Sequence, residues 1–260
     1  MPQPTIVLIA DYGTGDASFT EVTLQLQTLI PEAVILPQSV PAFSTLATGF
    51  LTYQIALTPN LVNIYLYTNT APRIEDTKAQ VNNRGEKLVY AKLKNGREII
   101  GVNAKYCFSF VKPHIEAFHL VNIENEGSQF RSRDKYPKAV SQMVKKDTSF
   151  IGEAMNPTLI PDFPPQSVAM VDGYGNIKTT IRRSEVTFTP GQKLIISFKN
   201  TSHESYFTDG TFNVPHGSLS FAQGSSGHED RFMEIFYRGA SAAELFGGVR
   251  VEDEFTIRGL

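Results

Sequence analysis

A proline-rich stretch at residues 156–165 constrains the fold of this chain more than any other feature, because four of its ten residues are prolines. Proline lacks the backbone donor that helices and sheet ladders need, so it is excluded from helix interiors and central strands. The stretch is therefore predicted to be an extended connector. It divides the 260 residues into a domain at 1–155, a linker at 156–166 and a domain at 167–260.

The N-terminal part alternates between apolar runs typical of buried strands and stretches with helical spacing. The run Thr5–Ala10 is continuous and rich in β-branched residues, as in a strand buried on both faces of a parallel sheet. A turn with two glycines at 11–16 and a helical stretch follow it. The alternation continues through a strand at 33–36, a helix at 44–57 and a strand at 61–67. We predict an α/β N-terminal domain with a central, mainly parallel sheet.

Later segments favour hairpins and short strands. Asn95-Gly96 separates two strand-like runs at 87–93 and 98–102, and Asn-Gly is a strong hairpin signal. Beyond residue 166, short β-rich runs are separated by turn residues at the spacing expected of a small barrel. We therefore predict a smaller all-β, barrel-like C-terminal domain.

Charge and composition argue against several classes of protein. The chain has 24 basic and 26 acidic side chains and a pI near 6.2, so it lacks the positive field that holds nucleic acid. Its one cysteine, Cys107, cannot form an internal disulfide. His114 and His119 have no acidic or cysteine companion at ligand spacing and the other three histidines are scattered through loops, so no metal is expected. No apolar run approaches the ~20 residues that span a bilayer. We predict a cytoplasmic protein without membrane or nucleic-acid partners.

Asp11 and Asp16 flank the first strand-to-helix turn, which is where open α/β sheets bind ligands. A carboxylate there can accept hydrogen bonds from both hydroxyls of a ribose diol. The alternative is structural, with Asp16 capping the helix and Asp11 ending the strand. The turn lacks the third glycine of a dinucleotide fingerprint, so NAD is not expected. A second motif, from Asp172 to Asn176, is by composition more typical of a plain turn than of a site.

Four segments of the chain resemble motifs that occur together in one protein family. Residues 11–16 (Asp-Tyr-Gly-Thr-Gly-Asp) resemble an Asp-Phe-Gly-Thr-x-Asp motif, and residues 171–181 resemble Ile-Asp-x-Phe-Gly-Asn-Leu-x-Thr-Asn-Ile. Residues 217–227 resemble a Gly-Glu-strand-Asn-Ser-x-Gly segment, and residues 233–245 resemble a Leu-Glu-Ile-Ala…Gly-Ser-Ala-Ala end. In this order and spacing, the chain resembles a divergent member of the S-adenosylmethionine (SAM) hydroxide adenosyltransferases, relatives of the fluorinases and chlorinases.

The resemblance implies an N-terminal α/β domain, a C-terminal β-barrel and a homotrimer with sites between the N-terminal domain of one subunit and the C-terminal domain of the next. SAM is the family's substrate, and no further cofactor is implied. A nucleophile attacks the ribose C5′ and the sulfonium leaves, so that hydroxide gives adenosine and L-methionine. The predicted function is SAM binding, with SAM hydrolysis as the candidate activity. The alternative is a non-catalytic SAM- or adenosine-binding protein, or a structural trimer.

Three substrate contacts are implied in the N-terminal domain. Asp11 would bind the ribose hydroxyls. Phe43 falls where fluorinases place a tryptophan against the nucleoside, with core packing as the alternative. Ser132 aligns with a fluorinase serine in a Phe-Tyr-Ser-Arg run.

Five more substrate contacts are implied in the C-terminal domain. Asp172 and Asn176 would hold the methionine amino group, and Ser225 would bind the methionine carboxylate. Phe207 and Gly239 would surround the adenine, although Phe207 could equally be a core residue.

The candidate catalytic positions depart from the family pattern. Hydroxide-using members activate water with an Asp, an Arg and a His. The Asp aligns with Thr68 and the His with Arg131, and Arg73 lies two residues before the position expected for the Arg. A guanidinium stays protonated and cannot act as a general base. The acid and the imidazole are therefore both missing, and this loss motivates the non-catalytic alternative.

Overall fold

A computed structural model of the protein describes residues 3–72, 85–124 and 127–260. The chain divides into two compact units, Met1–Asp162 and Phe163–Leu260. The division falls inside the proline-rich stretch at 156–165. Each unit is built on its own seven-stranded sheet.

The first unit contains a sheet with strand order β2-β1-β3-β5-β4-β6-β7 and four described α-helices. The strands are β1 (Thr5–Ala10), β2 (Val34–Ser39), β3 (Ile64–Asn69), β4 (Leu88–Leu93), β5 (Glu98–Val102), β6 (Ile115–Val121) and β7 (Ile151–Ala154). The helices are α1 (Ala17–Leu29), α2 (Thr45–Ala56), α3 (Arg131–Asp134) and α4 (Tyr136–Val144).

The predicted fold class is wrong, because the chain consists of two mostly-sheet units rather than an α/β domain with a mainly parallel sheet. In the first sheet, β1–β2, β1–β3 and β3–β5 pair parallel, whereas β4–β5, β4–β6 and β6–β7 pair antiparallel. Parallel pairing needs a long crossover, and the helices α1 and α2 supply crossovers only among the first three strands. The tight turn at Asn95-Gly96 sends the chain straight back, so that β4 and β5 pair antiparallel.

Helix α1 begins shortly after β1, and the first three strands end at the same edge of the sheet. Helix α1 begins at Asp16, whose carboxylate accepts a hydrogen bond from the Ser18 amide at 2.7 Å, and it buries Val22 and Leu26. Strand β1 pairs in register with both neighbours, so that Ala10 lies between residues 39 and 69. The carboxyl ends of β1, β2 and β3 therefore meet at one edge of the sheet.

A close approach between β3 and β5 provides a test of this sheet. A Cβ on Gly101 would lie 2.0 Å from Oγ1 of Thr68, and Thr68 is 1% exposed. Gly101→Ala is therefore expected to lower the free energy of unfolding by about 1–3 kcal/mol in urea denaturation, as overpacking does. The Thr68 hydroxyl has no hydrogen-bond partner among the described residues, so Thr68→Val is the matched control and is expected to leave stability unchanged or raised. Equal losses in both variants would contradict this packing.

The second unit is a sheet with strand order β14-β10-β11-β12-β13-β9-β8, in which only β11 and β12 pair parallel among the strands described. Its strands are β8 (Val168–Val171), β9 (Ile177–Arg182), β10 (Lys193–Phe198), β11 (Thr201–Thr208), β12 (Leu219–Gln223), β13 (Phe232–Tyr237) and β14 (Thr256–Gly259), and its one described α-helix is α5 (Ala242–Leu245).

The two edges of the second sheet are linked. Ser167, just before β8, forms an antiparallel bridge with Glu254, just before β14. The Val168 amide also donates to the Asp253 carbonyl at 2.9 Å. These bonds partly satisfy backbone groups that an open sheet edge would leave exposed.

None of the helices in the described ranges is long and apolar enough to cross a membrane. A cytoplasmic location stays a prediction.

Candidate functional site

A cavity of about 850 Å³ lies in the first unit, at the carboxyl ends of the parallel strands β1, β3 and β5. Open sheets with parallel strands bind ligands at this edge. The cavity is lined by residues at or after the ends of the first sheet's parallel strands, by residues directly before β4 and by residues around α3: Asp11, Tyr12, Gly13, Asp16, Ser18, Ala42, Phe43, Asn69, Ala71, Gly85, Glu86, Lys87, Val102, Asn103, Gln129, Phe130, Arg131, Ser132 and Tyr136.

Asp11 directly follows β1 and joins the segment after β2 to the cavity wall. Its Oδ2 accepts a hydrogen bond from the Phe43 amide at 2.9 Å, and Phe43 adopts a positive φ of 64°. A carboxylate has about four acceptor positions, which suits it to accept hydrogen bonds from ligand hydroxyls besides those from the protein. The Phe43 side chain is 53% exposed and lines the cavity, so it is not a core residue.

Tyr12, Ser132 and Asn69 form a hydrogen-bonded group on the cavity wall. The Tyr12 hydroxyl lies 2.6 Å from Oγ of Ser132, and Nδ2 of Asn69 donates to the same hydroxyl at 3.0 Å. The Tyr12 ring packs edge-on against Phe19 and Phe130. Burial raises the pKa of Tyr12 well above its usual range, so the phenol is neutral at physiological pH.

Arg131 brings a positive charge to the cavity. Its Nε donates to the Tyr136 hydroxyl at 3.0 Å. Its guanidinium packs so closely on Gly85 that a Cβ there would lie 2.2 Å from the Nη2 atom. Burial raises the pKa of Tyr136, although Arg131 opposes the shift. Arg131 can therefore attract an anion or orient a dipole, but it cannot accept a proton.

The candidate catalytic positions are not brought together in the part of the chain that the structure describes. Thr68 is buried against Gly101 and does not line the cavity, whereas its neighbour Asn69 does. Arg73 lies outside the described residues. Of the two positions that the structure describes, only Arg131 lines the cavity.

In the second unit, Asp172 and Asn176 bind each other. Oδ1 of Asp172 accepts from the amides of Tyr174 and Asn176 at 2.9 and 3.0 Å, and Oδ2 accepts from Nδ2 of Asn176 at 3.0 Å. These bonds build the turn between β8 and β9. The geometry is that of the plain turn that the composition of this motif favours. The Asp172 carboxylate can still accept further hydrogen bonds.

The other three candidates of the second unit have different surroundings. Phe207 is 2% exposed and belongs to the hydrophobic core. The core role that the sequence analysis gave as its alternative is therefore the one that the structure shows. Ser225 is exposed, and its amide donates to Oε1 of Glu234 at 3.1 Å. Gly239 is exposed with a φ of 98°, and the His216 ring lies against it.

Sequence reasoning missed several groups at the cavity, above all Tyr12 and Asn69. Asn69 ends β3 as Ala10 ends β1, and these two residues pair in register. The rule that pointed to Asp11, that ligands bind at the carboxyl ends of parallel strands, would therefore have pointed to Asn69 as well.

Comparisons with known proteins give the fold but no activity. No family model matches the chain, and no curated protein matches it. Among solved structures, an uncharacterized conserved protein from Thermotoga maritima shares 14% identity with a TM-score of 0.76, over 97% of this chain and 100% of that one. A conserved hypothetical protein from Thermus thermophilus shares 16% identity with a TM-score of 0.71, over 99% and 100%. At these identities the likeness shows a common fold alone.

Proposed function

We propose that this protein binds an adenosyl ligand, SAM or adenosine, in the cavity of the first unit. One observation carries the proposal: the carboxylate of Asp11 lines a cavity of about 850 Å³ at the carboxyl ends of β1 and β3. This volume lies within the roughly 300–1,000 Å³ typical of small-molecule sites. The carboxylate suits a ribose diol, since it can accept a hydrogen bond from each hydroxyl.

The rest of the lining supports a nucleoside. Phe43 and Phe130 offer aromatic surface for a base, and Tyr12, Asn69 and Ser132 offer neutral hydrogen-bonding groups. Ligand sites typically combine apolar surface with a few placed polar groups.

Binding is better supported than hydrolysis. Attack of water on C5′ would form a C–O bond, break the C–S bond with its electron pair leaving on the methionine sulfur, and release a proton. That proton needs an acceptor. Of the positions aligned with the family's catalytic residues, the two that the structure describes do not supply one, because Thr68 is buried away from the cavity lining and Arg131 is a permanent cation. We therefore propose the binding function first and treat hydrolysis as a second outcome of the test.

Isothermal titration calorimetry with SAM and with adenosine tests the proposal. Saturable binding of at least one of them is expected, together with a rise in melting temperature, because a ligand at 100 times its Kd stabilises by about 2.7 kcal/mol. L-Methionine, which lacks the ribose, is the control. Absence of binding by both nucleoside ligands would contradict the proposal. Chromatography of the SAM mixture decides on hydrolysis, which requires equal amounts of adenosine and L-methionine above the uncatalysed background.

A homotrimer remains part of the proposal through the family resemblance. Light scattering is expected to give three times the chain mass of 28.8 kDa. A monomer mass would contradict the trimer and leave the cavity of the first unit to be tested by the titrations above.

A further inference from the structure

Three polar side chains converge on the cavity from three different elements. Tyr12 follows β1, Asn69 ends β3, and Ser132 lies in α3. Ser132 is 5% exposed and Asn69 is 9% exposed, yet both line the cavity. Tyr67 fixes the position of Ser132 from behind, because its buried hydroxyl donates to the Ser132 carbonyl at 2.8 Å. These contacts make a built polar surface rather than a chance arrangement of exposed groups.

The hydroxyl hydrogens of Tyr12 and Ser132 determine how many hydrogen bonds this surface can donate to a ligand. The hydroxyls of Tyr12 and Ser132 carry one hydrogen each, and their contact at 2.6 Å uses one of the two. Nδ2 of Asn69 occupies an acceptor position on Tyr12 but supplies its own hydrogen. Among the described residues, neither hydroxyl makes another hydrogen bond, so one O–H remains to donate into the cavity. Burial raises the pKa of Tyr12, which keeps the phenol protonated.

Asn69 adds an acceptor to this donor. No described residue donates to its Oδ1, and the residue lines the cavity. A donor and an acceptor side by side match a hydroxyl group, which can accept one hydrogen bond and donate another. A carboxylate would match less well because it cannot donate, and an ammonium because it cannot accept.

On the basis of the proposed function, we propose that Tyr12, Asn69 and Ser132 bind the 5′-hydroxyl of a nucleoside. The ribose diol is assigned to the acceptor-only carboxylate of Asp11, and the 5′-hydroxyl is the one sugar hydroxyl of adenosine that remains. Sites built to bind a hydroxyl reject analogues that lack it, because their buried polar groups are then left unpaired. The cavity therefore selects nucleosides with a free 5′-hydroxyl, which makes adenosine rather than SAM the preferred one of the two proposed ligands.

The test compares adenosine with 5′-deoxyadenosine by isothermal titration calorimetry. The wild-type protein is expected to bind adenosine about tenfold more tightly or better, the effect of one well-placed hydrogen bond. Equal affinities would overturn this inference and leave the proposed function intact. Absence of binding by both nucleosides would overturn this inference, and the titration with SAM would then decide on the proposed function.

A double variant, Tyr12→Phe with Ser132→Ala, assigns the effect to these side chains. Each single variant still has one hydroxyl hydrogen to offer, so both substitutions are needed. The preference for adenosine is expected to fall clearly below the wild-type value, because only Asn69 then remains to bind the 5′-hydroxyl, while the affinity for 5′-deoxyadenosine changes little. Tyr90→Phe is the control, since the Tyr90 hydroxyl donates to Glu98 at 2.8 Å and does not line the cavity. A full preference in the double variant would overturn the inference. If that variant fails to fold, the wild-type comparison of the two nucleosides still decides.

Discussion

Asp11→Asn is expected to weaken adenosine binding about thirtyfold or more, as measured by isothermal titration calorimetry. Hydrogen bonds to a charged group contribute roughly 1.5–3 kcal/mol, and the two ribose hydroxyls would each lose part of that contribution. Asparagine has nearly the same shape and keeps an oxygen for the Phe43 amide, which now bonds to Oδ2 of Asp11 at 2.9 Å. The substitution therefore removes charge and one acceptor oxygen without removing the support of the loop after β2.

Asp147→Asn provides the matched control. Asp147 also accepts a backbone hydrogen bond, from the Ser149 amide at 2.9 Å, but it does not line the cavity. Asparagine is as good a cap as aspartate, so adenosine binding is expected to remain at the wild-type level. Equal binding by the wild type and the Asp11→Asn variant would refute the role of Asp11.

Local elements of the first unit could be predicted because their signals lie close together in the sequence. The apolar run Thr5–Ala10 is β1, and Asp16 caps the helix that follows. The predicted hairpin is confirmed, since β4 and β5 pair antiparallel around a turn in which Gly96 has a φ of 82°. Asn-Gly favours such a turn because glycine adopts positive φ without steric cost.

The direction of the later strands could not be predicted in the same way. Strand β4 also pairs with β6, and β6 pairs with β7, and these partners are separated by long stretches of chain. No local residue pattern records such pairing. The expectation of a mainly parallel sheet extended the pattern of the first three strands to the later ones, although β4 and β5 are joined by a tight turn and β6 and β7 pair antiparallel even with α3 and α4 between them.

The site illustrates how a shift of one residue changes a prediction. Alignment with the family's acid selected Thr68, but successive side chains of a strand point to opposite faces. Thr68 faces Gly101, and Asn69 reaches the cavity. The position of Arg131 at the cavity follows from its motif, whereas its bond to Tyr136 depends on how α3 and α4 are placed, which the motif does not encode.

A buried ion pair in the second unit predicts the largest effect on stability. Nζ of Lys178 lies 2.8 Å from Oε1 of Glu234, and the two side chains are 13% and 2% exposed. The same oxygen accepts from the Ser225 amide. Glu234→Gln keeps the shape and an acceptor but leaves the Lys178 ammonium without its counter-charge. It is expected to lower the free energy of unfolding in urea by about 3–5 kcal/mol.

We attribute this loss to burial rather than to the ion pair as such. A second ion pair, which is exposed, distinguishes these two causes. Lys193 and Glu204 lie at the same distance of 2.8 Å, but their side chains are 53% and 44% exposed. Water and salt screen such a pair, so Glu204→Gln is expected to change stability far less than Glu234→Gln. Adding Lys178→Met to Glu234→Gln removes the unpaired charge and should recover part of the lost stability. Equal losses from Glu204→Gln and Glu234→Gln, or no recovery in the double variant, would show that desolvation of the Lys178 ammonium is not what makes Glu234 necessary.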